Sequence, residues 1–223
     1  MNHTVLITGA NRGIGLELVK QYAANGWKVL ACCREPQSAK ALNALNNVKT
    51  FALDVADFKQ IDALAMQLKG HAIDVLINNA GVYPHGSLDD AHVWAEAFKI
   101  NSMAPHKMAD AFKSHIAKST LKKLATLSSK MGSIDDNTSG GSYMYRSSKV
   151  AVNMVMKSLA IDLKPLGISV VTLHPGWVQT DMGGSNALIN TQTSVTGLRK
   201  VIDNLSLANT GKFIAFDGKE IAW

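Results

Sequence analysis

Cysteine is almost absent from this chain. Its 223 residues include two, Cys32 and Cys33, and because these are adjacent they cannot close the long loop of an ordinary disulfide. Their scarcity is typical of a reducing compartment, so we expect a cytoplasmic protein. No apolar run approaches the roughly 18 residues that span a bilayer, and the start of the chain lacks the pattern of a signal peptide. We therefore expect no membrane partner.

Acidic residues are outnumbered, with 17 Asp and Glu against 23 Lys and Arg, for a net charge of +6. Such an excess can indicate nucleic-acid binding. However, the lysines are scattered apart from the doublet Lys122-Lys123, and no zinc-finger or RNA-binding motif is present. We expect a phosphate-bearing small molecule as partner and no nucleic acid. The seven histidines show no metal-ligand spacing, so we also expect no metal.

Short β-rich runs alternate with helical stretches along the whole chain, which is typical of parallel βαβ units. Runs such as VLITGA and DVLINNAG are so apolar that helices must cover both of their faces. The sequence therefore predicts an α/β, Rossmann-like doubly wound parallel sheet in a single three-layer domain, residues 1–223. We predict strands at 5–8, 28–33, 50–53, 74–77, 124–127, 169–173 and 212–216. The predicted helices are 13–25, 36–45, 58–68, 89–99, 102–118, 145–163 and 193–204.

The first strand runs directly into a glycine-rich turn that opens a helix. Glycine suits three needs there: a tight turn, close approach of the backbone to a phosphate, and close packing of helix on strand. The free N–H groups at the start of the helix can bind a pyrophosphate. This context favours a nucleotide site over an ordinary turn. The residues of the turn that we expect at the nucleotide are Gly9, Asn11, Arg12, Gly13, Ile14 and Gly15.

The segment GGSYMYRSSK, residues 140–149, combines tyrosines with a lysine. A phenol can donate a proton to a developing oxyanion, but its ordinary pKa near 10 makes it a slow acid at neutral pH. Tyr145 and Lys149 are four apart and share a helix face, whereas Tyr143 is six from the lysine and diverges from it. A nearby ammonium group favours the phenolate. We therefore predict that Tyr145 is the proton donor and that Lys149 lowers its pKa.

The spacing G-x-x-x-G-x-G of the turn resembles the fingerprint of the short-chain dehydrogenases/reductases. Further matches to that family follow in order and cover nearly the whole chain: Asn78-Asn79-Ala80-Gly81, Asn101, Ser128-Ser129, Tyr145 with Lys149, Pro175-Gly176, and then Thr180 and Met182. The segments GSIDDNTSGGSYMYRSSK and PGWVQTDMGG are particularly similar to C-factor-like and sniffer-like carbonyl reductases.

The resemblance implies a catalytic set of Asn101, Ser129, Tyr145 and Lys149. In the family the serine stands three before a glycine, which favours Ser129 as the donor to the substrate oxygen; a swapped role for Ser128 stays open. Lys149 also bonds the nicotinamide ribose, and Asn101 anchors a water in a proton relay, although chemistry alone would make Asn101 a helix cap. We expect Tyr143 at the pocket wall, Arg146 toward solvent or an interface, and His174 in a structural role. Residues 133–141 should form a loop at the pocket lip, and 182–193 a short mobile lid.

The expected cofactor is NADP(H), with NAD(H) possible. An acidic residue at the end of the second strand would favour NAD, but Cys32-Cys33-Arg34 stands there. Two arginines suit a 2′-phosphate; the alternative is that both are solvated, and Glu35 would weaken Arg34. Asp54 resembles an adenine contact of the family or is a helix cap. Besides the glycine turn, the implied cofactor contacts are Arg34, Asp54, Val55, Asn79, Ala80, Gly81, Tyr145, Lys149, Pro175, Gly176, Val178 and Thr180.

These residues together predict an NADPH-dependent oxidoreductase that reduces an aldehyde, ketone or quinone to an alcohol. Two alternatives stay open: a C-factor-type signalling protein that binds the dinucleotide with little turnover, and a structural module with a vestigial site. The family resemblance also implies a homodimer or homotetramer formed through the helices at 102–118 and 145–163. The apolar residues of the second helix would serve a core face equally well; they are Val152, Val155, Met156 and Leu159.

Overall fold

The computed structural model describes residues 3–223, within which seven strands form one parallel sheet in the order β3-β2-β1-β4-β5-β6-β7. Each predicted strand is present, with ends that shift by up to two residues. The strands are β1 (Thr4–Thr8), β2 (Lys28–Cys33), β3 (Val48–Ala52), β4 (Val75–Asn78), β5 (Lys123–Leu127), β6 (Ser169–His174) and β7 (Lys212–Ala215).

Helices cover both faces of the sheet. The α-helices are α1 (Gly13–Ala24), α2 (Lys40–Asn43), α3 (Phe58–Gln67), α4 (Ala91–Phe98), α5 (Ala104–Ala117), α6 (Tyr143–Asp162) and α7 (Thr191–Asp203). Because side chains alternate along a strand, Leu6 and Leu76 pack with α3, α5 and α6. Val5 and Ile7 pack on the opposite face with α1, α2 and α7. The predicted doubly wound, three-layer fold is confirmed.

Three predicted helices differ in the structure. The helix expected at 36–45 divides into a 3₁₀ turn, Pro36–Ser38, and the single turn of α2, because Ala39 between them has a non-helical ψ of 58°. The helices expected at 89–99 and 102–118 join through a π-turn, Lys99–Met103. Pro105 lacks an N–H, so it cannot donate the α-helical bond to the carbonyl of Asn101. This widened turn places Asn101 within a continuous helical segment.

The helices expected to carry subunit contacts bury most of the residues that sequence alone left undecided. Val152, Met156 and Leu159 are buried in the core. The large apolar residues exposed on α5, α6 and the π-turn are Met103, Tyr143, Met154 and Ile161. The homo-oligomer itself stays a prediction. Among residues 3–223, no helix combines the length and the apolar character that crossing a membrane requires.

The sheet order places the carboxyl ends of β1 and β4 side by side. β1 pairs with β2 on one edge and with β4 on the other, so the direction of winding reverses between β1 and β4. In open α/β sheets a crevice forms at such a reversal, outside the carboxyl ends of the strands. The glycine turn after β1 and the Asn79-Ala80-Gly81 segment after β4 therefore meet at one place.

Candidate active site

The glycine turn after β1 is packed so closely that side chains do not fit. A Cβ on Gly9 would lie 2.9 Å from Cα of Ala80, and one on Gly15 would overlap the carbonyl oxygen of Gly9. Gly9 and Gly13 also have left-handed φ angles of 62° and 52°. Arg12, at the N-cap of α1, makes no side-chain capping bond, and the first turn of α1 has no acidic residue. The helix therefore presents free N–H groups to the cleft, as a pyrophosphate site requires.

Polar side chains of β1 and β4 fix this turn. The side-chain amide of Asn79 donates to the carbonyls of Thr8 (2.9 Å) and Gly9 (3.0 Å). The Thr8 hydroxyl in turn accepts from the backbone N–H groups of Asn79 and Ala80, both at 3.1 Å. The Asn79 side chain thus holds the glycine turn in shape. Thr8 shares that task, and its position at the last residue of an apolar strand is the signal that could have identified it.

A cleft of about 480 Å³ lies along this edge of the sheet. It brings together all the residues predicted from the glycine turn and most of the other predicted cofactor contacts. The predicted residues that line it are Gly9, Asn11, Arg12, Gly13, Ile14, Gly15, Arg34, Asp54, Val55, Asn79, Ala80, Gly81, Tyr145, Lys149, Pro175 and Thr180. Met182, one of the family matches, lines it too, as do residues that sequence reasoning did not select: Cys33, Ser38, Leu53, Val82, Ile100, Leu127 and Asp181. Several of these stand at or just after strand ends.

Gly176 and Val178 lie beside the cleft and do not line it. Gly176 has a φ of 86°, and a Cβ there would come within 2.7 Å of the Ile189 side chain. Val178 is buried and forms a backbone bridge with Ile189. The two residues therefore close the base of the loop that was predicted to be a lid. That loop ends earlier than expected, because Asn190 caps α7 at Thr191.

The contacts and exposure of three charged residues at the nucleotide end decide what they can bind. Arg12 forms an ion pair with Asp181 (3.0 Å) across the cleft, with both side chains largely exposed. Arg34 is also exposed, with Glu35 beside it in the lining. Asp54 does not cap α3: its carboxylate accepts from the Ala56 N–H (2.9 Å), and Asp57 is the N-cap of that helix. Two cations and a free helix N-terminus make this end suitable for an anionic ligand.

Tyr145 and Lys149 lie together on the buried face of α6, at 8% and 5% exposure. The Lys149 ammonium is 5.7 Å from the centre of the Tyr145 ring and donates to the carbonyl of Leu127 (3.1 Å). Burial raises the pKa of Tyr145 to about 12, partly opposed by a hydrogen bond with Ser129. Burial lowers the pKa of Lys149 to about 8. Desolvation dominates the pKa of both groups, and the lowering effect of Lys149 on the pKa of Tyr145 stays a prediction.

Ser129 and Ser128 occupy different environments. The Ser129 side chain lies near enough to Tyr145 to oppose the rise in the pKa of that phenol, and it accepts from the Met131 N–H at 3.2 Å. The Ser128 hydroxyl lines the cleft but donates to the amide oxygen of Asn153 at 2.6 Å. This geometry favours Ser129 as the partner of a substrate oxygen held by Tyr145.

His174 supports the turn that carries Ser129. Its Nδ1 accepts from the Lys130 N–H at 3.1 Å. Burial lowers the pKa of His174 to about 4, so the imidazole stays neutral and its Nδ1 can accept at neutral pH. The structural role expected for His174 is therefore to hold the turn after Ser129 through this hydrogen bond.

Asn101 is buried in the π-turn and holds the segment that follows β4. Its side-chain oxygen accepts from the Val82 N–H, and its amide donates to the Val82 carbonyl, both at 2.9 Å. The amide also donates to the hydroxyl of Ser148 on α6 (2.9 Å). Asn101 is therefore not a helix cap; it links the β4 segment to the helix that carries Tyr145 and Lys149.

The lip between Ser129 and Tyr145 differs from expectation at two residues. Arg146 does not point freely to solvent: its guanidinium donates to the carbonyls of Met131 (3.3 Å) and Gly140 (3.2 Å) and to the Ser139 hydroxyl (2.9 Å). Tyr143 is 58% exposed and does not line the cleft. It lies in the first turn of α6, which begins two residues earlier than predicted, and so faces outward.

Tyr83 contacts Tyr145 and was not selected from the sequence. Its ring lies 4.7 Å from the Tyr145 ring, centre to centre. The signal available was weak: an aromatic residue two positions after the Asn79-Ala80-Gly81 segment. Within residues 3–223, no group of three or more His, Cys, Asp or Glu side chains could hold a metal ion.

Comparisons with known proteins agree with this geometry. The family model for short chain dehydrogenase matches residues 3–188. C-signal of Myxococcus xanthus is 43% identical over 155 residues, which are 68% of this chain and 93% of that protein. The structure of the carbonyl reductase Sniffer of D. melanogaster has 34% identity and a TM-score of 0.92, covering 100% of both chains. The NADPH-bound carbonyl reductase from chicken fatty liver has 35% identity and a TM-score of 0.93, covering 100% of this chain and 99% of that one.

Proposed function

The chain belongs to the short-chain dehydrogenase family, and on that basis we propose that it is an oxidoreductase that uses NADPH to reduce an aldehyde, ketone or quinone to an alcohol. The observation that carries the proposal is the buried Tyr145–Lys149 pair, which lines the same cleft of about 480 Å³ as the glycine turn.

The side chains divide the work of carbonyl reduction. When bound, the nicotinamide supplies a hydride to the carbonyl carbon. The Ser129 hydroxyl and the Tyr145 phenol hold the carbonyl oxygen, and Tyr145 gives it the proton that completes the alcohol. Lys149 presents a buried ammonium beside the acid. Asn101 fixes the neighbouring Val82 backbone and links it to α6 through Ser148.

The charges at the nucleotide end support NADP(H) over NAD(H). Arg12 and Arg34 both line the cleft, and a planar guanidinium can bond a phosphate with two parallel hydrogen bonds. The second strand ends in Cys33 with Arg34 after it, so the acidic residue that would accept from a ribose hydroxyl is replaced there. The NADPH-bound structure of the chicken carbonyl reductase is consistent with this preference.

A second candidate function is a signalling role with little turnover. It is favoured by the 43% identity to C-signal of Myxococcus xanthus. In that case the cleft would bind the dinucleotide, and the Ser129, Tyr145 and Lys149 side chains would not be needed for activity. Turnover separates the two functions.

The test is NADPH oxidation, followed by absorbance, with a panel of aldehydes, ketones and quinones. We expect steady turnover with at least one carbonyl, and a fall in kcat of about 100-fold to 10,000-fold in Tyr145→Phe, because a general acid contributes about that much. Tyr22→Phe, a change in α1 where Tyr22 packs on Trp27, is the matched control and should keep full activity. Unchanged turnover in Tyr145→Phe would contradict the mechanism. NADPH binding without oxidation across the panel would favour signalling.

A further inference from the structure

The segment after β4 carries a tyrosine that is fixed at three points around Tyr145. The backbone just before it is fixed, because the N–H and the carbonyl of Val82 both bond the Asn101 side chain. Its ring lies against the ring of Tyr145, 4.7 Å between centres and tilted by 37°. Its hydroxyl is 2.8 Å from the hydroxyl of Ser142. Tyr83 thus spans from the floor of the site to the lip, across the proposed acid.

Ser142, whose hydroxyl contacts that of Tyr83, departs from two usual preferences of a serine before a helix. Ser142 precedes α6, where a serine hydroxyl normally accepts from a backbone N–H of the first helical turn. Here it makes no such cap and bonds Tyr83 instead. Ser142 also has a left-handed φ of 46°, directly after Gly140 and Gly141 at 65° and 66°. A non-glycine residue is strained in this region. A strained residue that gives up its capping bond indicates that the contact with Tyr83 serves the site.

Through its hydroxyl and its ring, Tyr83 links the segment after β4 to the lip and to Tyr145 on α6. The lip lies between Ser129 and Tyr145, and Tyr83 contacts both Ser142, near the end of the lip, and Tyr145 itself. The Tyr145 phenol can rotate about its side-chain bonds unless a neighbour packs on the ring. Tilted aromatic pairs favour a restricted set of ring orientations. Among the described residues, the ring that packs against Tyr145 in this way is that of Tyr83.

We propose that Tyr83 is a positioning residue for the reaction: its ring holds the phenol of Tyr145 toward Ser129, and its hydroxyl holds the lip closed at Ser142. The inference rests on the proposed role of Tyr145 as the acid. Tyr83 does not line the cleft that contains the glycine turn, so we expect substitutions of Tyr83 to leave cofactor binding unchanged. Its contribution is therefore to kcat, through the orientation of Tyr145.

The hydroxyl and the ring of Tyr83 can be tested separately. Tyr83→Phe removes the bond to Ser142 and keeps the ring; we expect kcat with a small carbonyl to fall about threefold to tenfold, the usual effect of one hydrogen bond. Ser142→Ala should give the same loss, and the double variant should lose no more than either single one. Tyr83→Leu also removes the ring contact, and its kcat should fall further than that of Tyr83→Phe. The Kd for NADPH should stay within twofold of wild type in every variant.

A pH profile separates positioning from a purely structural role. Burial and the neighbouring Tyr83 both raise the pKa of Tyr145, so the alkaline limb of kcat should move to lower pH in Tyr83→Leu. Tyr22→Phe, scored by the same profile and by thermal unfolding, is the control. Wild-type kcat and pH profile in both Tyr83→Phe and Tyr83→Leu would overturn the proposal, whether or not the melting temperature falls. So would independent, additive losses in Tyr83→Phe and Ser142→Ala. Full activity in Tyr145→Phe would instead overturn the proposed function itself.

Discussion

Lys149 is a charged side chain that is buried on α6. Its exposure is 5%, and its ammonium bonds a backbone carbonyl, that of Leu127. Desolvation is the cause that lowers its pKa from 10.5 to about 8. At neutral pH the group still carries its proton, and the folded state is destabilised by a buried charge. Activity and stability therefore oppose each other at this residue.

Replacing Lys149 by Met should stabilise the dinucleotide-free protein and abolish its turnover. Below pH 8 the lysine is protonated in both the folded and the unfolded chain, so the full destabilisation is present. Between pH 8 and 10.5 the unfolded chain binds more protons, and stability rises with pH until the effect disappears. Each pKa unit is worth about 1.4 kcal/mol, and loss of the Leu127 bond offsets about 1 kcal/mol. We expect Lys149→Met to gain about 2 kcal/mol at pH 7 in urea unfolding.

The control for this change is Lys20→Met on the exposed face of α1. It removes the same charge from solvent and should change the free energy of unfolding by less than about 0.5 kcal/mol at any pH. The difference between Lys149→Met and wild type should shrink as the pH approaches 10. A variant no more stable than wild type at pH 7, with no dependence on pH, would show that the burial of Lys149 carries no penalty.

At the scale of the element, the lip is held by side chains and not by regular structure. Arg146 on α6 bonds both ends of it, at Met131 and at Ser139 and Gly140. Lys130 and Asp136 form an ion pair across it at 2.8 Å. Exposed ion pairs contribute little, so the restraints that remain are the three-point contact of Arg146 and two bonds to the C-terminal residues: Ser133 Oγ donates to the Ala222 carbonyl (2.7 Å) and the Ile134 N–H to the Trp223 carbonyl (2.6 Å). The lip in turn fixes Ser142 and the start of α6.

Arg146→Ala should therefore loosen the lip without unfolding the domain. We expect faster amide hydrogen exchange in residues 133–142, with exchange in β1 and β4 unchanged, and a fall in kcat/KM of about tenfold because Ser129 and Tyr145 lose their common support. Arg146→Lys keeps the charge but not the forked donor geometry, so it should behave like the alanine variant. Lys113→Ala, which removes an exposed ion pair on α5, is the control. Wild-type exchange in the lip of Arg146→Ala would show that other contacts hold it.

Elements with a local signal could be predicted from the sequence, and those that depend on distant contacts could not. The Tyr145–Lys149 spacing and the glycine turn are local patterns, so the sequence identified both. The π-turn before Pro105 and the divided helix at residues 36–43 depend on packing that local periodicity does not express. The contact of Tyr83 with Tyr145 joins residues 62 positions apart. The pKa of Tyr145 depends on burial, which is a property of the whole fold.

At the scale of the whole molecule, the parallel sheet gathers separate loops at one edge. The glycine turn follows β1, Arg34 follows β2, Asp54 follows β3 and Gly81 follows β4. All of them line the same cleft, because parallel strands end on the same side. The proposed dinucleotide would contact segments that follow four strands and the start of α6. It should therefore stabilise the domain as a unit.

This stabilisation gives a test of cofactor choice that does not depend on turnover. A ligand at 100 times its Kd stabilises the folded state by about 2.7 kcal/mol, which for a chain of this size raises Tm by roughly 5–10 °C. NADPH should produce that shift at a lower concentration than NADH.

Arg34→Ala should raise the Kd for NADPH about tenfold or more, since it removes a charged hydrogen-bond donor from the 2′-phosphate. The Kd for NADH should stay unchanged, which serves as the internal control. Arg12→Ala should weaken NADPH binding less, because in the ligand-free site Arg12 must first leave its ion pair with Asp181. Equal Tm shifts with the two dinucleotides, or an Arg34→Ala variant that weakens both alike, would instead mean that the cleft recognises only the parts common to both.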